Sequence, residues 1–281
     1  MKTYHIGIYE KAIPEGYSFA EMLKLGKEAG YDFFEISIDR TDNRINRLYD
    51  KSVQNELRDA IRQTGFPIGS MCLSALGTYT LGDENPSNVK RALDIFKNAI
   101  DFASQFGVRI IQIPACDVPK FGNHTHETDK RYISNLRRMI EYASTKSVLI
   151  GLENMEDAYM DSVEKCMRLI RNISSPYFQI YSDSGNITSA SKIVSIDPVD
   201  DLNKGQGHHI AFHLKETRPN KYGGLFYGEG YVDFQRLVSA AYKHGVRRFV
   251  LEYWYTGNHE WKDDLIRARQ MCVDWIQKRD N

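Results

Sequence analysis

The sequence is poor in long hydrophobic runs, and this limits where the protein can act. None of the apolar stretches in its 281 residues approaches the ~20 residues that a transmembrane helix needs. The N-terminus, MKTYHIGIYEKAI, opens like a strand and lacks the apolar segment of a secretion signal. We therefore expect no membrane partner and a cytoplasmic location.

Cysteine is scarce, and neither sign of charge is in excess. The four cysteines lie far apart without a CxxC pair, which is typical of reduced, buried thiols; disulfide bonds are the alternative. They are Cys72, Cys116, Cys166 and Cys272. The 37 basic and 37 acidic residues give a formal net charge of zero. We expect no nucleic-acid partner, although a local basic patch could hide within a neutral total.

Short apolar, β-branched runs alternate with longer amphipathic segments along the whole chain. Eight runs have the composition of strands and follow one another roughly 30 to 40 residues apart, the length of a strand-plus-helix unit. The predicted strands cover 5–9, 33–38, 67–73, 109–114, 148–153, 178–183, 209–215 and 248–254.

Segments between these runs place apolar residues at the steps of three and four that are typical of helices. Several end at a glycine, which suits a left-handed helix end. The predicted helices cover 18–29, 88–106, 128–146, 161–172, 233–244 and 260–278, with 196–207 the weakest. The glycines are Gly30, Gly65, Gly107 and Gly245.

Strands that are apolar on both faces and are each followed by a helix predict a parallel sheet covered by helices. Eight such units in 281 residues match a closed (β/α)8 TIM barrel, and we expect one catalytic domain over 1–281. An open, doubly wound sheet is the alternative. Such sheets often carry a glycine-rich turn after the first strand, whereas here that strand runs into YEKAIPEGY.

Four consecutive predicted strands carry a polar residue near the carboxyl end, where barrels of this kind have their active sites. Glu153 and Asp183 end the fifth and sixth strands, and His213 and Glu252 lie in the seventh and eighth. Three buried carboxylates repel one another unless they are protonated or bind a cation. The set therefore predicts one divalent metal ion, and manganese, zinc, cobalt and magnesium all suit these ligand types.

Each of these residues also has a purely structural interpretation. A lone glutamate at a strand end is often a salt-bridge or capping partner, and a lone histidine in a strand is often a hydrogen-bonded core residue. Asp183, ahead of Ser-Gly-Asn, could be a turn residue. The metal site is favoured because all four positions fall where one barrel mouth would bring them together.

Blocks around these positions resemble the L-ribulose-5-phosphate 3-epimerase family of the xylose isomerase-like barrels, over nearly the whole chain. The most specific are QIYSDSGNIT, HIAFHLKETRP and GEGYVDF. The resemblance implies interconversion of L-ribulose 5-phosphate and L-xylulose 5-phosphate by proton transfer at the third carbon through an enediolate. It implies the same four metal ligands and makes Glu153 and Glu252 the catalytic acid/base pair.

The chain departs from the family pattern at two points. Residues 75–79 replace a histidine and an arginine pair of the family, so this loop offers no cation to a phosphate. Asn186 stands where related free-ketose 3-epimerases carry histidine, which favours a phosphorylated ketose as substrate.

Further substrate contacts are expected from residues near the strand ends. Lys215 and Arg218 follow His213 and are predicted phosphate contacts, with a solvated basic loop as the alternative. Tyr9 and Trp254 are predicted to wall the sugar pocket, with barrel packing as the competing interpretation. A sugar or inosose dehydratase, or another ketose isomerase of the same barrel, is the alternative function. A homodimer is expected from the pairing of related barrels.

Overall fold

Eight parallel strands form a closed barrel in sequence order, and the last strand pairs back onto the first. The computed structural model describes residues 3–120, 122–219, 221 and 223–279, so the outermost residues of the predicted domain lie outside it. The strands are β1 His5–Tyr9, β2 Phe33–Ser37, β3 Ile68–Cys72, β4 Ile110–Pro114, β5 Leu149–Glu153, β6 Phe178–Asp183, β7 His209–Leu214 and β8 Arg248–Leu251. The TIM-barrel prediction is confirmed, and the open sheet is excluded.

The end of the last strand differs from its prediction. β8 stops at Leu251, so Glu252 follows the strand and the predicted end at 254 is wrong. The chain leaves the sheet here because the loop after β8 joins the loop after β1, where Tyr255 N donates to Lys11 O at 2.7 Å. Glu252 nevertheless stays at the carboxyl end of the barrel, since its N–H donates to Leu214 O at 2.9 Å.

Helices surround the barrel, and most of them begin after a residue whose side chain caps the first turn. They are α1 Phe19–Glu28, α2 Asp42–Asn46, α3 Lys51–Thr64, α4 Pro86–Phe106, α5 His126–Thr145, α6 Val163–Ile173, α7 Ser184–Val194, α8 Pro198–Asn203, α9 Phe234–Lys243 and α10 Trp261–Gln277. Gly65 and Gly107 have φ of 63° and 70° at the ends of α3 and α4. This left-handed backbone is the conformation that the glycines predicted.

Two helices were not predicted, α2 and α7, and for α3 the sequence predicted only its end at Gly65. The sequence of α7, SGNITSASKIV, is rich in hydroxyl and amide side chains that compete for backbone hydrogen bonds and lower helix propensity. Its first turn forms because Asp183, the last residue of β6, accepts a hydrogen bond from Asn186 N at 2.7 Å. The predicted weak helix at 196–207 is the shorter α8.

The barrel interior is filled by side chains, and small residues make room for large ones. Tyr9, Cys72, Tyr181 and Val250 belong to a buried cluster separate from the larger core that includes the helices. At Gly151 an added Cβ would lie 2.7 Å from Tyr181 Cβ, so glycine is needed for the tyrosine to cross the barrel. The interior of the barrel is therefore a packed core and not a channel.

All four cysteines are buried and none forms a disulfide bond, which confirms the prediction of reduced, buried thiols. Among the described helices, none combines the length and apolar character that crossing a bilayer would require.

Candidate metal centre

The four predicted ligands converge at the carboxyl end of the barrel. Glu153, Asp183, His213 and Glu252 are all buried, and one ligand atom from each lies within 4.8 Å of the others. They come from β5, β6 and β7 and from the residue after β8, so four consecutive strand ends build the cluster. The structure thus brings together residues that are up to about a hundred positions apart in the chain.

His213 directs Nδ1 into the cluster. This nitrogen lies 2.8 Å from Glu153 Oε1 and 2.9 Å from Glu252 Oε2. One imidazole nitrogen is therefore close to oxygens of two carboxylates, which is the arrangement expected when all three groups share a cation.

Glu35, which the sequence reasoning missed, holds the other side of this imidazole. His213 Nε2 donates to Glu35 Oε1 at 2.6 Å, while Ser70 Oγ and Tyr181 Oη donate to Glu35 Oε2 at 2.6 and 2.8 Å. A carboxylate that accepts from Nε2 keeps the hydrogen there and leaves the Nδ1 lone pair free for a metal. The one available signal was an acidic residue inside β2, a strand that is buried at every position.

The carboxylates of Glu153 and Asp183 are oriented by neighbouring amides. Gln112 Nε2, on β4, donates to Glu153 Oε2 at 2.5 Å, which turns Oε1 towards His213. Asp183 Oδ1 accepts from Asn186 N at 2.7 Å and so caps α7. Each carboxylate therefore uses one oxygen for positioning and keeps the other for the cluster.

Unsatisfied oxygens test whether these residues fit a metal ion. Asp183 Oδ2 is buried and has no hydrogen-bond partner among the described residues, and the same holds for Glu252 Oε2 despite its closeness to His213. Leaving a buried carboxylate oxygen unpaired is costly. Because both atoms belong to the cluster of three carboxylates and one imidazole, the residues fit a divalent cation.

The protein environment drives the pKa values of the neighbouring carboxylates in opposite directions. Burial raises the pKa of Glu153 and raises that of Asp183 strongly. Burial opposes ionisation of Glu252 as well, but Lys215 and His213 outweigh it and lower its pKa to about 2. Carboxylates whose pKa values are separated in this way are typical of acid/base sites, and a bound cation would favour the ionised form of all three.

The two predicted phosphate contacts lie in different surroundings. Lys215 is buried, and its Nζ lies 3.3 Å from Asp183 Oδ1 and 3.6 Å from Glu156 Oε1, beside the metal centre. Arg218 is exposed and lines a cavity together with Lys192 of α7. Although Arg218 follows Lys215 by only three residues, the two side chains lie in different environments.

The two predicted aromatic contacts also differ in burial. The ring of Tyr9 is buried, with its centroid 6.3 Å from that of His213 and its hydroxyl 3.3 Å from Ser37 Oγ. Trp254 is 39% exposed at the rim and packs over Gly223. Tyr9 therefore lies beside the cluster, whereas Trp254 lies in the partly exposed loop that follows Glu252.

Comparison with known proteins identifies the barrel. The model of the family described as xylose isomerase-like TIM barrel matches residues 23–272. The chain belongs to this family. Within it, the L-ribulose-5-phosphate 3-epimerase UlaE of Shigella sonnei (strain Ss046) is 34% identical over 280 residues, covering 99% of this chain and 95% of that protein. UlaE of Escherichia coli (strain SMS-3-5 / SECEC) matches to the same extent. The resemblance found in the sequence is confirmed.

Solved structures of other xylose isomerase-like barrels share the fold at lower sequence identity. An L-ribulose 3-epimerase superposes with a TM-score of 0.78 at 17% identity, covering 99% of this chain and 96% of the other. The E. coli 3-keto-D-glucoside 4-epimerase YcjR gives 0.73 at 19%, covering 95% and 99%. A Mycobacterium smegmatis family member in complex with magnesium gives 0.71 at 17%, covering 99% and 98%. These similarities establish the architecture.

Proposed function

We propose that this protein is a metal-dependent sugar-phosphate 3-epimerase that interconverts L-ribulose 5-phosphate and L-xylulose 5-phosphate. The observation that carries the proposal is the buried cluster of three carboxylates and one imidazole, with ligand atoms within 4.8 Å, at the mouth of the barrel. The substrate follows from relatives that bear this activity in their name and match 99% of the chain.

Glu153, Asp183, His213 and Glu252 would hold one divalent cation, with manganese, zinc, cobalt and magnesium all compatible with these donors. When bound, it would neutralise the carboxylates and stabilise negative charge on the oxygens of a ketose that loses a proton from the neighbouring carbon. The residues around the cluster prepare the site, since Gln112 fixes Glu153 at 2.5 Å.

Glu153 and Glu252 are the proposed acid/base pair. They come from β5 and from the residue after β8, and they lie 2.8 and 2.9 Å from His213 Nδ1. Inversion at the third carbon needs one group to remove a proton and another to deliver one to the opposite face. Two carboxylates from separate strand ends of the barrel mouth would be able to flank the third carbon, whereas neighbours on one strand would not.

The remaining contacts are proposed from position. Tyr9 would wall the sugar beside the cluster, Trp254 would cover it at the rim, and Lys215 would donate to a substrate oxygen near Asp183. We propose that residues 1–281 act as one catalytic domain, because strands from His5 to Leu251 close a single barrel. The homodimer stays a prediction.

Replacing either glutamate with glutamine tests the acid/base roles. Glu252→Gln and Glu153→Gln should each lower kcat on L-xylulose 5-phosphate by about a hundredfold or more, because one of the two proton transfers is lost. Deuterium uptake at the third carbon in heavy water measures proton exchange, and metal analysis of each variant shows whether the cation is retained.

Near-normal turnover by metal-loaded Glu252→Gln would contradict the proposed role of Glu252.

The wild-type assay also distinguishes an epimerase from the main alternative, a dehydratase of the same barrel. A dehydratase would release water from the substrate, whereas an epimerase exchanges the proton without doing so. A matched control is Glu216→Gln, which changes another buried glutamate that accepts backbone hydrogen bonds from Gly228 and Val232.

A further inference from the structure

The sheet of the barrel joins the four residues of the metal cluster unequally. Asp183 is registered with His213 in the ladder between β6 and β7, and the N–H of Glu252 donates to a carbonyl of β7 at 2.9 Å. Glu153 is registered with Pro114 of β4, on the other side of its strand. Backbone hydrogen bonds therefore join three of the predicted ligands to one another and the fourth to β4.

The ladder between β5 and β6 stops before the residues that would bind the metal. The last registered pair of these two strands is Leu152 with Ile180. Glu153 and Asp183 lie beyond this pair, so no ladder among the described residues fixes the distance between them. Other hydrogen bonds must hold the fourth ligand to the other three.

Two buried asparagines bridge this gap between the strand ends. Asn154, the residue after β5, accepts through Oδ1 from Asp183 N at 2.9 Å. Asn186, in the first turn of α7, donates through Nδ2 to Asn154 O at 2.7 Å. The backbone N–H of Asn186 also donates to Asp183 Oδ1 at 2.7 Å, so both asparagines contact the same predicted ligand. We call Asn154 and Asn186 the amide bridge.

We propose that the amide bridge sets the distance between Glu153 and Asp183 and so positions these two ligands around the cation. This inference rests on the metal-dependent part of the proposed function and does not depend on which sugar is bound. A functional site needs its side chains within about 0.5 Å of the productive geometry, a precision that supporting hydrogen bonds provide. Asn154 and Asn186 are positioning residues, because they act through the ligands and not on the substrate.

The hydrogen bonds of the bridge fix the orientation of both amide groups. A backbone N–H needs an oxygen as partner and a carbonyl needs an N–H, so Oδ1 of Asn154 must face Asp183 N and Nδ2 of Asn186 must face Asn154 O. Rotation of either amide by half a turn would lose its bond. The bridge therefore connects the two strand ends in one defined geometry.

The remaining atoms of the two amides argue against a role in packing alone. Asn154 and Asn186 are 0% and 1% exposed, and Asn154 Nδ2 and Asn186 Oδ1 have no hydrogen-bond partner among the described residues. A buried amide with one half unpaired costs free energy. The bridge retains this cost where the ladder is missing, and the bonds that it does make end on Asp183 or on the residue that follows Glu153.

Removal of either side chain of the bridge should weaken metal binding. Asn154→Ala and Asn186→Ala should each raise the dissociation constant for manganese about tenfold or more, as expected when a residue that orients a metal ligand is deleted. Calorimetric titration of the metal-free proteins measures these constants. Asn135→Ala is the matched control and should keep the wild-type constant, because Asn135 is another buried asparagine whose Nδ2 donates to Leu81 O at 2.8 Å.

The visible spectrum of bound cobalt separates positioning from a loss of general stability. Its absorption bands depend on the number and arrangement of the ligand atoms, which a change in stability elsewhere in the fold does not alter. At saturating cobalt the spectra of Asn154→Ala and Asn186→Ala should differ from that of the wild type, whereas that of Asn135→Ala should not. Urea unfolding of the metal-free proteins shows how much stability each variant has lost.

Wild-type dissociation constants and cobalt spectra in both bridge variants would overturn the inference, and so would an equal loss of affinity in Asn135→Ala. A wild-type protein that binds no divalent metal overturns the metal centre and the inference together. A wild-type protein that binds metal but acts on no pentulose phosphate overturns the assigned sugar alone, and the comparison of the variants then still decides whether the amide bridge positions the ligands.

Discussion

Glu35 accepts hydrogen bonds from three side chains while lying fully buried on β2. One of them, His213, has its other nitrogen in the metal cluster. A carboxylate behind a ligating imidazole fixes the orientation and tautomer of the ring and raises its basicity. We therefore propose that Glu35 positions His213 for the candidate metal centre and is not itself a ligand.

Glu35→Gln should weaken the affinity for a divalent metal by about tenfold to a hundredfold, because the amide can still accept from Nε2 but no longer carries the charge that strengthens the ligand. Titration of the metal-free protein with manganese, followed by calorimetry, gives the dissociation constant. Asp201→Asn is the matched control, since Asp201 is another buried carboxylate and accepts from Val163 N and Glu164 N, at the start of α6. An affinity that falls equally in both variants would mean that Glu35 acts only through general stability.

Asp183 satisfies two interpretations that seemed to exclude each other in the sequence. As a turn residue it caps α7 through Oδ1, which accepts from Asn186 N. As a predicted ligand it keeps Oδ2 in the cluster, where this oxygen has no hydrogen-bond partner among the described residues. A carboxylate has two oxygens, so a structural and a functional role can occupy one residue.

At the scale of elements, a hydrogen bond from the buried, neutral side chain of His209 connects β7 to α8. His209 Nε2 donates to Leu202 O at 2.9 Å, and Nδ1 lies 3.0 Å from Ser182 Oγ. Burial lowers the pKa of His209 from 6.5 to about 4. Between these values the unfolded chain binds a proton that the folded chain excludes, so stability is complete above pH 6.5 and declines as the pH falls towards 4.

The contribution of His209 to this decline should be about 3 kcal/mol of unfolding free energy. His209→Asn removes the titrating group, so the loss of stability between pH 7 and pH 4 should be smaller in the variant than in the wild type. Urea unfolding at several pH values measures both curves. Parallel curves would show that another group causes the acid sensitivity.

At the scale of the molecule, the proposed cation would join four consecutive strand ends across half of the barrel. A ligand that binds the folded state alone stabilises it, by about 4 kcal/mol at a thousandfold excess over its dissociation constant. Manganese should therefore raise Tm and a chelator should lower it. His213→Gln should lose most of this response, and an equal rise in Tm with the variant would mean that the metal binds elsewhere.

The sequence alone determined the barrel and the membership of the cluster. The strands are apolar on both faces and recur at the spacing of a strand-plus-helix unit, a pattern that few topologies can accommodate. A closed parallel barrel must bring the carboxyl ends of its strands together. That is why Glu153, Asp183, His213 and Glu252 could be assigned from their positions, before any contact was known.

Only the tertiary structure decided how these residues are held. Glu35 reaches His213 across the barrel from 178 positions away in the chain, a contact that local patterns do not encode. α7 forms against the propensity of its residues because its cap and its packing outweigh that propensity. The periodicity of a segment shows which face of the helix or strand a residue occupies, and its position in the segment shows which end it is near. Contacts between side chains that are distant in sequence form only when the whole barrel closes.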